Sequence, residues 1–212
     1  MSASSFSWGV VKSGAKIVAT NRMTKRTFTV FADSEEEGTV EGGNRAFESG
    51  TSYEVVSLVG PVLSVCESWY SDSGAHPSYG SRFRTVNLDR GKEELSLTDI
   101  FDESEVLTAL LKDRIIGKHL GKVTPKRLAD LEALDGGCEI DFQGLNRSFA
   151  FHHLKGGAVA VRIGLPHGCE VMRGNFTQLG IYLPLSRPAI GYFRHAEKNK
   201  TLMRYLWREA AK

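Results

Sequence analysis

The chain has 212 residues, 41% of them hydrophobic and 25% charged, with a formal net charge of +2. That is ordinary globular composition, and the length suffices to bury a core without disulfide support. The net charge is too small and too widely spread for nucleic-acid backbone binding, and no apolar run reaches the roughly 20 residues of a membrane span.

The opening "MSASSFSWGVVKSG" lacks a basic n-region and a long apolar h-region, so it does not read as a signal peptide. It begins either a cytoplasmic chain or a segment excised from a longer one. "KIVATN" and "KRTFTVFA" then read as strands. The second places Phe28, Val30 and Ala32 on one face and Thr27, Thr29 and Phe31 on the other. Residues 33–50 carry Asp33, Glu35, Glu36, Glu37, Glu41 and Glu48 against Arg45 alone. Rich in Glu and Gly, they are expected to form a long acidic loop.

"TSYEVVSLVG" and "PVLSVCESWYS" follow as apolar strands divided by Gly60-Pro61. "SRFRTVNL" alternates, with Phe83 and Thr85 opposite Arg82, Arg84 and Val86, and Gly91 suits a short hairpin turn. Helical signals begin at "LTDIFDESEVLTALLKDRIIGKHLG". Asp102 and Glu105 have capping-box spacing, and Leu107, Leu111 and Ile115 recur every four residues. Thr124 and Pro125 suit the start of a second helix bearing Leu128, Leu131 and Leu134. "CEIDF", "RSFAFHHL", "AVAVRIGL" and "QLGIYLPL" return to strand, with a tight turn at Gly156-Gly157. The end, 196–212, reads as an amphipathic helix with Leu202, Met203, Leu206 and Trp207 inward. The expected fold is α+β, a mostly antiparallel sheet with a central helical insertion and a C-terminal helix. Residues 1–50 form N-terminal strands and an acidic loop packing on a main domain, 51–212.

Three cysteines, Cys66, Cys138 and Cys169, cannot all pair within one chain. The plainest expectation is three buried free thiols; one disulfide with one free thiol is the other arrangement the count allows. "YSDSGAHPSYGS" (70–81) gathers Asp72, Ser73 and His76 in one turn. Catalytic triads assemble from separate segments, and no G-x-S-x-G elbow is present. The turn therefore reads as structural, its Asp and Ser bonding nearby backbone. His152 and His153, adjacent on a strand, should point to opposite faces and cannot share an ion unless a bulge intervenes. His167 and Cys169 supply two ligands where a closed zinc site needs four. No metal and no cofactor are expected. The glycines of "KGGAVAVRIG" do not match a phosphate loop.

The same stretch and its sequel resemble the C-terminal domain family of RsiV-type lysozyme-sensing anti-sigma factors, which also accompanies polysaccharide deacetylases of the PdaC type. Tyr70 matches the family's strand-ending aromatic, and Gly74, Ala75 and His76 match its turn, with Ser73 in place of a first glycine. Gly91-Lys92 and "LSLTDIF" (95–101) follow in register. A weaker likeness runs through 147–185, where Cys169-Glu170-Val171 stands for Tyr-Glu-Ile and Pro184 for a closing Ile-Pro. The resemblance implies a non-catalytic, envelope-facing ligand-binding module, with Tyr70, Gly74, Ala75 and His76 as a structural turn signature. Its ligand would be a lysozyme-like muramidase or a cell-wall glycan. The acidic residues Glu35, Glu36, Glu37 and Glu41 are the partner-binding candidates for a cationic muramidase. An extracytoplasmic location follows if a signal was removed; otherwise the location is cytoplasmic. The competing readings are a hydrolase using His76 with Asp72 or the His167/Cys169 region, and a cytoplasmic immunity or interaction protein.

Overall fold

Three strands, β1 (Trp8–Ser13), β2 (Lys16–Asn21) and β3 (Thr27–Ala32), make an antiparallel sheet of their own. The computed structural model describes residues 7–39, 46–72, 76–169 and 175–207. The alternation expected along β3 breaks at Val30. Ile17 pairs with Phe31 and Val18 with Thr29, so Val30 is an extra, bulged residue and both Val30 and Phe31 are buried.

A five-stranded sheet follows in chain order: β4 (Ser34–Thr39), β5 (Ala46–Val59), β6 (Val62–Asp72), β7 (Ser78–Asn87) and the short β8 (Glu93–Glu94). The acidic segment expected as a loop is therefore largely strand, because β4 pairs with β5 from Ser34–Thr51 to Thr39–Ala46. Ladder pairing overrides a composition unfavourable to strand. Phe47 covers the bare glycine opposite it, its Cε1 lying 2.5 Å from where a Cβ on Gly38 would be. β5 also runs across residues 50 and 51, the boundary drawn between the two expected units. The β7–β8 turn carries positive φ at Gly91 and Lys92.

A 3-10 turn at Leu97–Asp99 and three short α-helices lie between β8 and the next strand. The α-helices are α1 (Glu103–Leu110), α2 (Arg114–His119) and α3 (Leu128–Glu132). The helical run expected between the Asp102 cap and Gly121 is divided because Asp113 caps α2, its carboxylate accepting from the Ile115 and Ile116 N–H groups. Asp102 occupies the N-cap position of α1 without a side-chain capping bond. The buried face is Val106, Leu110 and Ile116, one residue off the expected Leu107–Leu111–Ile115 stripe, and Leu111 is exposed. α3 starts at Leu128, later than Thr124 and Pro125 suggest, and buries Leu128 and Leu131 as expected. "CEIDF" is not a strand. Its chain turns so tightly that a Cβ on Gly136 would lie 2.1 Å from the Ile140 carbonyl oxygen.

The last sheet, β9 (Phe149–Lys155), β10 (Ala158–Leu165) and β11 (Thr177–Pro184), has the order β11-β10-β9. Gly156 and Gly157, with φ of 56° and 84°, make the two-residue turn that matches strand twist. The C-terminal helix differs from expectation. It is α4 (Arg187–Lys198), then α5 (Met203–Leu206), and the remainder of the expected helix lies outside the described residues. The break occurs where Thr201 joins β5: Leu58 N–H donates to the Thr201 carbonyl at 2.8 Å, and the Thr201 hydroxyl to the Leu58 carbonyl at 2.7 Å. Leu202 and Met203 are buried, whereas Leu206 is exposed. The whole is α+β, mostly antiparallel sheet with a C-terminal helix.

The central sheet is buried on both faces over its lower half. Leu63, Val65 and Val86 pack on Ile17, Val30 and Phe31 of the first sheet. On the other face Val56, Cys66 and Phe83 pack on Ala150 and Met203. A third core fills the space between β9–β11 and the helices, around Phe149, Phe151, Leu110, Leu131 and Phe193. Each such large side chain contributes roughly 1.5–3 kcal/mol on burial. Where β9 meets the central sheet the buried polar atoms are paired: the Thr85 hydroxyl donates to the Phe149 carbonyl at 2.6 Å, and the Phe83 N–H donates to Ser148 Oγ at 3.1 Å.

A disulfide joins Cys138 to Cys169, which corrects the expectation of three free thiols; Cys66 alone is free, and buried. The bonded segments lie so close that a Cβ on Gly168 would sit 1.9 Å from the Gly137 carbonyl oxygen. Gly168→Ala should therefore lower unfolding free energy by about 2–4 kcal/mol. Urea denaturation followed by circular dichroism checks this, and a change within about 0.5 kcal/mol would mean the two segments are not packed as described.

Candidate protein-binding face

Strand register decides which of the candidate residues share a surface. Glu35 is opposite Gly50, Gly50 opposite Tyr70, and Tyr70 opposite Tyr79, giving one row across four strands. The next row on that face is Glu37, Glu48 and Asp72. Side chains alternate between faces, so Glu36, in the row with Ser49, Ser71 and Ser78, belongs to the opposite face. Of the four acidic candidates, Glu35 and Glu37 thus adjoin Tyr70, Glu36 does not, and Glu41 lies outside the described residues. Tyr79 and Glu48 join the surface although neither stood among the partner-binding candidates. The alternation of β5 to β7, read with the hairpin register, is the signal that would have placed them there.

Tyr70 is 36% and Tyr79 46% exposed. The Tyr70 ring lies across Gly50, with Cε1 2.4 Å from the place of a Cβ there. Desolvation, followed by the charges of Glu35, Glu48 and Glu37, raises the Tyr70 phenol above its ordinary pKa. A recess of about 320 Å³ beside this row is lined by Asp33, Glu35, Ser68, Trp69, Tyr70 and Tyr79. The surface offers flat aromatic area ringed by carboxylates, the composition of a site for a cationic protein.

On the opposite face the carboxylate of Glu67 is buried. It accepts from the Tyr53 hydroxyl at 2.8 Å, from Arg84 Nη1 at 3.1 Å, and from Arg82 Nε. Burial alone would raise the Glu67 carboxyl, but the bonds from Arg82 and Tyr53 and the nearby guanidinium charges together hold it below the ordinary glutamate range. Arg84 also bonds Glu94 and lies 5.0 Å from the centre of the Phe31 ring. The Trp69 ring covers Gly80, its Cζ2 2.0 Å from the place of a Cβ, between recesses of about 370 and 250 Å³.

The turn signature is only partly described: Ser73, Gly74 and Ala75 lie outside the described residues, and His76 is exposed. The Cys169 sulfur is bonded to Cys138, so neither a thiol nucleophile nor a thiolate ligand exists in the His167/Cys169 region. His167 Nε2 instead bonds the Tyr79 carbonyl at 3.2 Å, and its buried Nδ1 has no partner among the described residues. His152 and His153 do not diverge. Ala160 pairs with His153 and Val161 with Phe151, so His152 is a bulge residue and the two Nδ1 atoms lie 2.7 Å apart. Burial, then Arg204, with Arg162 and Lys155, depresses the His153 pKa, an environment unfavourable to a bound cation. Among the described residues no three His, Cys, Asp or Glu side chains gather as metal ligands would.

No family model, curated protein or solved structure matches the chain. No helix among the described residues is long and apolar enough to cross a membrane.

Two outcomes test these environments. Burial pushes the Cys66 thiol up to about 11. Iodoacetamide at about pH 8, near the pKa of a free thiol, should label Cys66 only after denaturation; rapid labelling of the folded protein would contradict its burial. Glu67→Gln should cost about 2 kcal/mol at neutral pH, the worth of charge-assisted bonds to a buried group. Because the folded pKa is depressed, that contribution is complete above the ordinary glutamate pKa and is lost as pH falls through the folded one. Parent and variant stabilities should converge in acid; a difference independent of pH would show that Glu67 acts by packing alone.

Proposed function

We propose that this protein is a non-catalytic, extracytoplasmic binding module whose Tyr70/Tyr79 face recognises a cationic muramidase of the lysozyme type. The observation that carries the reading is the Glu35–Gly50–Tyr70–Tyr79 row with the acidic row Glu37–Glu48–Asp72 beside it. Exposed tyrosines supply rigid contact area at low entropic cost, and surrounding carboxylates speed encounter with a basic partner. The Cys138–Cys169 disulfide supports an oxidising compartment. The resemblance to the RsiV-type domains supports the partner class.

A cell-wall glycan is the second reading, favoured by the Trp69 ring between two recesses flanked by Arg82, Gln143 and Arg147. Sugars stack on such aromatic faces while polar groups fix their orientation.

Surface plasmon resonance with lysozyme at about 50 and 300 mM salt, where screening differs strongly, separates these readings. Glu35→Gln with Glu37→Gln should slow association several-fold at low salt and flatten its salt dependence. Tyr70→Ala with Tyr79→Ala should speed dissociation about tenfold or more. Absence of lysozyme binding would remove the muramidase reading. Binding of soluble peptidoglycan fragments, lost in Trp69→Ala, would put the glycan in its place.

A further inference from the structure

Among the described residues β11 is the outer strand of its sheet with no strand paired to its far edge, and that edge faces a groove rather than open solvent. The hydrogen-bond phase is fixed by one contact. The Leu185 N–H donates to the Gly157 carbonyl at 3.2 Å, making Gly157 and Leu185 a hydrogen-bonded pair. Antiparallel pairs alternate in this respect. With Val159 opposite Leu183 and Val161 opposite Ile181, these residues bond across to β10. Gly180 and Tyr182 therefore turn their backbone N–H and C=O groups outward, each offering one donor and one acceptor. Pro184, next on the outward side, ends this run because it has no N–H to offer.

The wall opposite is α1, held against β11 by the buried Val106 and Leu110. Between them runs a groove of about 560 Å³, lined in part by Thr108, Ala109, Lys112, Arg114, Gly180 and Tyr182. Gly180 carries no side chain to keep an incoming backbone away. The Arg162 guanidinium lies over it, with Nη1 3.0 Å from the place of a Cβ. Among the described residues Lys112, Arg114 and Arg162 make no ion pair. Two carboxylates border the groove as well, Glu105 and Asp113, but Asp113 is engaged in capping α2. With Arg162 beside Gly180 counted alongside Lys112 and Arg114, the cationic groups outnumber these two carboxylates by one, so the local balance is positive.

We infer that this groove takes an extended acidic peptide segment of a partner protein, which adds to β11 as a further strand. The backbone of Gly180 and Tyr182 supplies the main-chain bonds, α1 the opposite wall, and Lys112, Arg114 and Arg162 the preference for carboxylates. This surface is separate from the Tyr70/Tyr79 face and does not depend on the function proposed for it.

The test is fluorescence anisotropy on the full chain, using a labelled peptide of alternating Glu and Val about eight residues long, the length of an ordinary strand. The parent should bind it at least about tenfold more tightly than the Lys/Val counterpart, and Lys112→Glu with Arg114→Glu should remove that preference. Tyr182→Pro, which deletes an outward N–H that the sheet does not use, should abolish binding. Should that variant fail to fold, a Glu/Val peptide N-methylated at alternate residues tests the same bonds on the intact protein and should not bind. Equal binding of both charge types, or undiminished binding of the methylated peptide, would overturn the proposal. So would a dimer in sedimentation that Tyr182→Pro dissolves, since a second copy would then occupy the edge.

Discussion

The central sheet is longer than the layers that cover it, and the other features of the molecule follow from that mismatch. β5 has 14 residues and β6 has 11, against six in each strand of the first sheet. At about 3.4 Å per residue, β5 spans about 45 Å and the covering strands about 20 Å. The lower half of the sheet is closed on both sides by apolar packing. The upper half projects beyond it and must satisfy its side chains by other means. Glu67 with Tyr53, Arg82 and Arg84 does so on one face, as a hydrogen-bonded charge cluster at the boundary of the apolar core. Tyr70 does so on the other by lying across Gly50, with Tyr79 opposite it in the register.

This arrangement explains why the glycines of the upper strands matter without unusual backbone angles. Gly38, Gly50 and Gly80 each have an aromatic ring from a neighbouring strand in the space a side chain would take. A ring laid over a glycine shields a backbone that would otherwise be wet and weak in a strand. It also fixes the ring in one orientation. A tyrosine held in this way loses less freedom when a partner arrives, which is an advantage in a contact surface.

The disulfide acts at a different place for a related reason. The segments 136–142 and 166–169 carry little regular structure, yet they bury Ile140 and Phe142 and approach each other at van der Waals limits around Gly137 and Gly168. A covalent link between Cys138 and Cys169 reduces the entropy that these loops would regain on opening. It also holds His167 against the Tyr79 carbonyl, so the loop is tied to the edge of the strand that bears the proposed contact surface.

The strands with strong local patterns could be read directly. β10 matches "AVAVRIGL" residue for residue, the Gly156-Gly157 turn was legible, and Phe83 and Thr85 opposite Arg82, Arg84 and Val86 alternate as expected. These depend on period and turn chemistry, which act between near neighbours. What local pattern could not convey was pairing. β4 is a strand because β5 lies beside it, not because "SEEEGT" favours one. Val30 and His152 are bulged because their partners' registers shift, so Phe31 turns inward and two imidazoles meet that alternation would separate. The helices break at Asp113 and Thr201, where a cap and a contact with β5 outweigh the apolar period. Composition and periodicity thus determined the antiparallel α+β class and most strand positions. Which carboxylates stand beside Tyr70, which cysteines bond and which edge stays open were decided only by tertiary contacts, because each depends on segments distant in the chain being brought into register.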